Sequence, residues 1–470
     1  MSPYECLYRD HHVERQLSRR LLQDPTVKSV LRQYEDDCDL FTESAKVASI
    51  ESRNEAAFWQ GRYGRFWMNR YYVFGKSTEF RYDTVPFFGF FHVRDTETIR
   101  RIKLEHGGDV PSVAECYLSL PQHFRDDGYR VIEGPFTSFY GVLPLDVTPL
   151  VFPHQLFAGQ CAQSAAHTAL LLMSERGARP LGLFDVSLLS TPVVDDGEAL
   201  VDTEGGLLPD EVRRILKRPE TGITGLLEVC KNYGAQVPMS VVQWEPADLE
   251  TLLRDCVRNR LPLLLSVDFQ TWKTSAQNCQ SIEAASSEAG RHMVVLVGHR
   301  EKTYHRESGF IFHDSHLGPW IEMDIAGVSA AAKQVDGESG IHRYIMVVAA
   351  PKHVDVPLSA AYDLACRHYI KLGCTECRPA HLKISLMNRK QFSHFVKKNA
   401  RSSKAFETEF EQYYPAAELT HVWAVQHEAD LTQNEANTRT SGPHRSFFIS
   451  TKQPSAVAEL YKGTFTTNRN

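Results

Sequence analysis

One apolar helix followed by a run of short apolar strands fixes the class of fold open to this chain. Cys161–Arg176 (CAQSAAHTALLLMSER) is dense in the helix formers Ala and Leu and carries Arg176 in its last turn, with Gly177 in the capping position. Two further helices are expected at Gly225–Tyr233 and Pro246–Arg258. Beyond them lie strand-sized runs at Leu261–Val267, Met293–Gly298, Phe310–His313, Trp320–Met323 and Tyr344–Ala349. A doubly wound sheet needs strands and helices to alternate, and this order does not. The expected class is α+β.

The flanks read differently. In residues 1–50, Val13, Leu17, Leu21 and Leu22 are spaced for one helix face. Aromatic residues then crowd between Arg53 and Phe91, and β-like runs follow at Pro86–His92, Tyr129–Glu133 and Phe139–Leu143. After Pro351 the pattern restarts, with helices at Leu358–Leu372 and Lys390–Lys398 and strands at Leu382–Met387, Leu419–Gln426 and Ser446–Thr451. The expected organisation is an α+β N-terminal region over 1–150, a core over 151–350 and an α+β C-terminal module over 351–470.

Composition excludes several classes. With 470 residues, 42% hydrophobic and 23% charged, the chain is neither disordered nor fibrous. A net charge of −6 argues against whole-molecule attraction to nucleic acid or anionic lipid. No apolar run approaches the ~20 residues of a membrane span, and the charged N-terminus lacks the apolar block of a secretory signal. A cytoplasmic location with reduced thiols is expected. Each of the ten cysteines is then a small core residue or a reactive one.

Cys161 is the unusual one. It opens its helix, where unpaired N–H groups and the positive end of the dipole favour thiolate over thiol. His292 lies about 130 residues on, after Gly290-Arg291 and at the head of Met293–Gly298. A histidine there can be held rigidly and can take the thiol proton. Phe310-Ile311-Phe312-His313-Asp314 is a short strand ending in a carboxylate that a neighbouring antiparallel strand would set beside the imidazole. Each residue alone has a bland reading, as a core cysteine, a satisfied histidine or a turn aspartate. Their order points to nucleophile, base and orienting acid.

At these residues, over about Gln155–Met323, the sequence resembles the papain-like thiol peptidases, and especially the branch of leader-cutting peptidases of bacteriocin exporters. His292-Met-Val-Val-Leu-Val-Gly298 resembles the family's histidine strand, and Asp314-Ser-His-Leu-Gly-Pro-Trp320 resembles the turn that follows it. Gly159-Gln160-Cys161-Ala162 stands where papains have Gly-Ser-Cys-Trp, Asp314 stands where they carry Asn, and Arg291 where small residues are usual; the aspartate is common in the leader-peptidase branch. The resemblance implies a helix packed on an antiparallel sheet, attack by Cys161, proton transfer by His292 and orientation by Asp314. It also implies an oxyanion held by Gln155 and the Cys161 N–H, with Gln160 competing for that role. The substrate would be a protein or peptide, selected by a flanking region that could also hold a protein partner, and no cofactor is implied.

Three other readings compete. Cys366, Cys374, Cys377 and His381 offer zinc soft ligands, but the spacing is irregular and a second pair is missing. His292, His299, His305, His313 and His316 also cluster, without a His-Glu-x-x-His helix. The Arg-aromatic stretch Phe58–Arg81 could stack bases, although paired strands burying aromatics are the expected explanation. The same Cys-His-Asp set also serves transglutaminases, acyltransferases and amidases, since all pass through a thioester.

Overall fold

A computed structural model of the chain describes Tyr34 and residues 38–43, 68–75, 87–94, 113–134, 136–139, 143–152, 161–174, 239–242, 248–279, 290–303, 306–335, 342–343, 346–351, 353–372, 374, 377–399, 420–427, 445–452, 456–461 and 464–469. Its class is α+β with antiparallel sheets. It divides into two compact units, Met1–Gln236 with Pro262–Lys333, and Val237–Leu261 with Gln334–Asn470. Neither unit is a single stretch of chain.

In the first unit, a five-stranded antiparallel sheet runs in the order Cys38–Glu43, Met68–Gly75, Phe87–Arg94, Val113–Leu118, Thr148–Val151. The aromatic-rich stretch therefore does supply paired strands, with Val73, Phe87, Phe90 and Phe91 buried. Cys38–Glu43 corrects the helical reading of residues 1–50, since it pairs with Met68–Gly75 along its full length. The residues that carried that reading, Val13 to Leu22, lie outside the described residues, as do Gly225–Tyr233. In place of one run at Phe139–Leu143 the structure has two antiparallel strands, Phe136–Phe139 and Leu143–Asp146, with Phe139 opposite Leu143.

The strands that matter for function are Leu263–Asp268, Arg291–Arg300, Gly309–Asp314 and Gly318–Asp324, each antiparallel to the next. From His292 to His299 the second of these is buried at every residue, so side chains of both faces are covered, as its unbroken apolar run requires. The helix Cys161–Leu172 packs on it and on Thr148–Val151. From Ala162 onward this helix is buried on all sides, its polar stripe of Gln163, Ser164, His167 and Thr168 included. Thr168 Oγ1 accepts from the Val151 N–H at 3.1 Å and ties helix to sheet. Two helices that the periodicity did not reveal, Phe269–Cys279 and Ile325–Ala332, pack on each other and on the neighbouring strands.

The second unit contains a five-stranded meander, Leu382–Asn388, His421–His427, Arg445–Ser450, Ala456–Tyr461 and Thr464–Arg469. Phe392 and Val396 of helix Arg389–Asn399 are buried, and the Phe392 and Phe448 rings lie 4.7 Å apart. Trp423 is fully buried and donates from Nε1 to the Val356 carbonyl at 2.9 Å. Helices Leu249–Arg258 and Leu358–Lys371 meet at Asp255 and Tyr362.

Candidate active site

Three chain elements of the first unit bring their ends together. Cys161 is the first residue of its helix and is half-buried. His292 is the second residue of Arg291–Arg300, opposite Val267 on the neighbouring strand. Gly290, just before that strand, has φ +114°, a conformation side-chain-bearing residues rarely adopt, with open space where a Cβ would point. The backbone turn, not crowding, calls for glycine there. Asp314 is the last residue of Gly309–Asp314.

The side chains converge. His292 Nε2–H donates to Asp314 Oδ1 at 2.9 Å, and the Cys161 side chain is near enough to the ring to help raise its pKa. With Nε2 committed to the carboxylate, Nδ1 is the nitrogen left for sulfur. His292 is 4% exposed and Asp314 0%. Gln155 and Gln160 lie outside the described residues, as does His305.

A carboxylate with no solvent contact must be satisfied by the protein. Asp314 Oδ1 also accepts the N–H groups of His316 at 2.7 Å and Leu317 at 3.1 Å, and Oδ2 accepts Trp272 Nε1–H at 2.8 Å. Burial alone would raise its pKa, but the His292 charge and hydrogen bond, with help from His316, lower it to about 2. For His292, burial alone would lower the pKa, but the Asp314 charge and hydrogen bond and then Cys161 outweigh it and raise it to about 10. Asp314 and His292 thus hold one another as an ion pair.

Aromatic rings wall the pair in. Phe269 and His316 lie edge-on to the His292 ring at 5.0 and 4.8 Å. Trp272, Phe269 and His316 are the residues sequence reasoning missed as site neighbours. In the sequence His316 is one of a group of histidines, and no clear periodicity marks the helix bearing Phe269 and Trp272. A Trp three residues after a Phe just beyond the strand end Asp268 was the signal available. His313, adjacent to Asp314, serves elsewhere: its Nδ1 is bonded to the Pro149 carbonyl at 3.0 Å, and burial depresses its pKa to about 3, so it is neutral.

The other candidates do not form sites of this kind. The His299 ring lies tilted 5.1 Å from that of Phe310, well along the strand from His292. Cys366, Cys374, Cys377 and His381 belong to the second unit, and among the described residues no group of three His, Cys, Asp or Glu could hold a metal ion. Arg62, Arg65 and Arg81 lie outside the described residues. No helix among the described residues is long and apolar enough to cross a membrane.

No family model and no curated protein matches the chain. Among solved structures it is similar to the crystal structure of UfSP from C. elegans, with 13% identity and a TM-score of 0.25 over 47% of this chain and 34% of that one. The alignment thus spans about a third of that protein's length, and a likeness of this size assigns neither fold nor activity.

Proposed function

We propose that the chain is a papain-like thiol hydrolase that cleaves a peptide or isopeptide bond in a protein substrate, with Cys161, His292 and Asp314 as its catalytic set. One observation carries this reading: a fully buried imidazole–carboxylate pair whose free ring nitrogen meets a half-exposed thiol at a helix start. An imidazole so placed can take the thiol proton and hold the resulting thiolate as an ion pair. The Cys161 sulfur attacks the carbonyl carbon, and the proton held on His292 Nδ1 passes to the departing amine. Water, deprotonated by the same nitrogen, then opens the thioester. Asp314 keeps Nε2 protonated throughout, so that Nδ1 is always the working nitrogen. The helix N-terminal N–H of Cys161, with Gln155 in support, receives the oxyanion. Residues 1–150 and 351–470 are left to select the substrate.

Intact-mass labelling with a thiol-directed electrophile tests the reading without knowledge of the substrate. Single modification at Cys161, lost in His292→Ala, is the expected result. A folded chain whose Cys161 reacts no faster than Cys374 would overturn it.

A further inference from the structure

Strand Thr148–Val151 is the edge of the five-stranded sheet, and all of its residues are buried. An antiparallel ladder uses the backbone of alternate residues, so an edge strand turns the groups of the others away from its neighbour. Here Phe152 donates its N–H to the Ala114 carbonyl at 2.8 Å, and in the same ladder Leu150 stands opposite Cys116. Pro149 and Val151 are then the residues whose outward backbone groups need partners from elsewhere, because a buried polar group cannot be left to water. Pro149 has no N–H to leave unpaired, which is why a proline is tolerated on this edge. Its carbonyl accepts from Nδ1–H of His313 at 3.0 Å, and the Val151 N–H donates to Thr168 Oγ1 at 3.1 Å. His313 precedes Asp314 on Gly309–Asp314, and Thr168 lies on the helix that Cys161 opens. Both are buried, at 1% and 0% exposure. One short strand thus receives a side chain from the element that bears the acid and another from the element that bears the nucleophile.

We propose, on the hydrolase reading of Cys161, His292 and Asp314, that His313 and Thr168 are positioning residues which hold nucleophile and acid in one frame through this strand. Thr168 is seven residues after Cys161, close to two full turns, so the two share a helix face about 10.5 Å apart. A grip at Thr168 therefore sets the rotation of the helix about its axis. A turn of about 20° would carry the Cys161 Cα by ~0.8 Å around a cylinder of ~2.3 Å radius, and misplacements near ~1 Å are costly in catalysis. At the other end of the frame, Phe312 and Asp314 both face Trp272, and His313 between them faces Pro149. Fixing the His313 ring on one side of the strand fixes the carboxylate on the other, toward His292. A carbonyl can only accept, so His313 carries its proton on Nδ1. Its Nε2 has no hydrogen-bond partner among the described residues, which leaves the Pro149 bond to orient the ring. Neither residue takes part in the proton transfer; each acts through its own element.

The full chain carries the test, read as the rate of iodoacetamide labelling of Cys161 against pH, with thermal unfolding of each variant alongside. Thr168→Val keeps the branched shape and deletes the acceptor. Labelling at about pH 6 should fall by about tenfold, and the profile should move toward that of an ordinary thiol near ~8.5. Thr168→Ser restores the acceptor and should return the rate to within about twofold of wild type. His313→Asn, whose amide N–H can stand in for Nδ1–H, should keep the profile. His313→Gln presents its amide nearer the place of Nε2 and should shift it. Thr148→Val is the control, since it removes a bond of the same strand, from Oγ1 to the Ile132 carbonyl at 3.2 Å, and not one to the Cys161 helix or the Asp314 strand. It should lower the unfolding temperature and leave the profile in place. A profile that Thr168→Val does not move, or that Thr148→Val moves as far, reduces the clamp to ordinary packing and ends the proposal. Should the His313 variants fail to fold, the Thr168 pair decides alone. His292→Ala separates the two readings. If it slows labelling while Thr168→Val does not, the frame fails and the hydrolase stands; if it leaves labelling unchanged, the hydrolase reading falls and the frame with it.

Discussion

Among the described residues two aspartates are completely buried, Asp314 in the first unit and Asp255 in the second, and they do opposite things with the same problem. Asp255 Oδ2 accepts from the Tyr362 hydroxyl, and Oδ1 accepts from Arg254 Nε at 3.1 Å and Arg258 Nη1 at 3.4 Å. None of these donors can release its proton near neutral pH. Burial and the Asp255 charge hold the Tyr362 hydroxyl well above its usual range, and a guanidinium does not titrate. That cluster is an anchor between two helices. Asp314 instead faces an imidazole that the Cys161 thiol also influences. A buried carboxylate thus points to chemistry only when its partner can pass a proton onward to a reachable nucleophile.

The sharpest way to break the comparison is to remove the proton carrier. At about pH 6, where an ordinary thiol near 8.5 is almost wholly protonated, His292→Ala should slow iodoacetamide labelling of Cys161 by about a hundredfold. Asp314→Ala should slow it less, about tenfold, because the imidazole stays but loses its orientation. Asp255→Ala should leave that rate unchanged while lowering unfolding stability by about 2 kcal/mol, the cost of stranding the buried Tyr362 hydroxyl. Equal labelling rates in the His292 and Asp255 variants would erase the distinction drawn between the two aspartates.

A smaller effect isolates how Asp314 is held. Trp272→Phe keeps a buried ring but deletes the donor to Oδ2, a bond to a charged group worth about 1.5–3 kcal/mol. Labelling of Cys161 should fall by a few-fold, and the acid limb of its pH profile should move upward, since a carboxylate with one donor fewer is easier to protonate. Loss of stability with an unmoved profile would make Trp272 a packing residue only.

The site was legible in the sequence to the extent that it lies on elements with simple patterns. Met293–Val297 and Phe310–Phe312 announce buried strands, and the polar residue at one end of each strand has to be held by something. Cys161 stands out because the helix pattern begins on it. Helix Phe269–Cys279 was not legible: Gln270, Lys273, Thr274 and Gln277 dilute its apolar face, and it follows a strand with no intervening breaker. Its Phe269 and Trp272 complete the site only through tertiary packing. The strands Ala456–Tyr461 and Thr464–Arg469 also escaped notice, because Thr464-Phe465-Thr466-Thr467 gives weak hydrophobic alternation and the ladder to its neighbour decides the matter. Long-range partners such as His427 for Cys374 leave no local trace at all.

The gentlest test compares how the two anchors respond to pH. The His292 pKa is raised from 6.5 to about 10, so its contribution to stability is fully present below 6.5 and is lost as pH climbs through 10. The Asp314 pKa is lowered from 3.8 to about 2, so its contribution is present above 3.8 and is lost as pH falls through 2. Wild type and His292→Ala should therefore differ most in unfolding temperature at about pH 5–6, and their separation should shrink steadily toward pH 9.5, by a few degrees in all. Tyr362 stays protonated and the arginines stay charged over the same interval, so the separation between wild type and Asp255→Asn should be flat. Thermal unfolding followed in parallel buffers supplies both curves. A His292 separation that widens with rising pH would mean that the folded protein keeps this imidazole neutral, and the ion pair with Asp314 would have to be abandoned. A sloping Asp255 curve would show that the second cluster also exchanges protons, and the contrast between the two units would then fail from the other side.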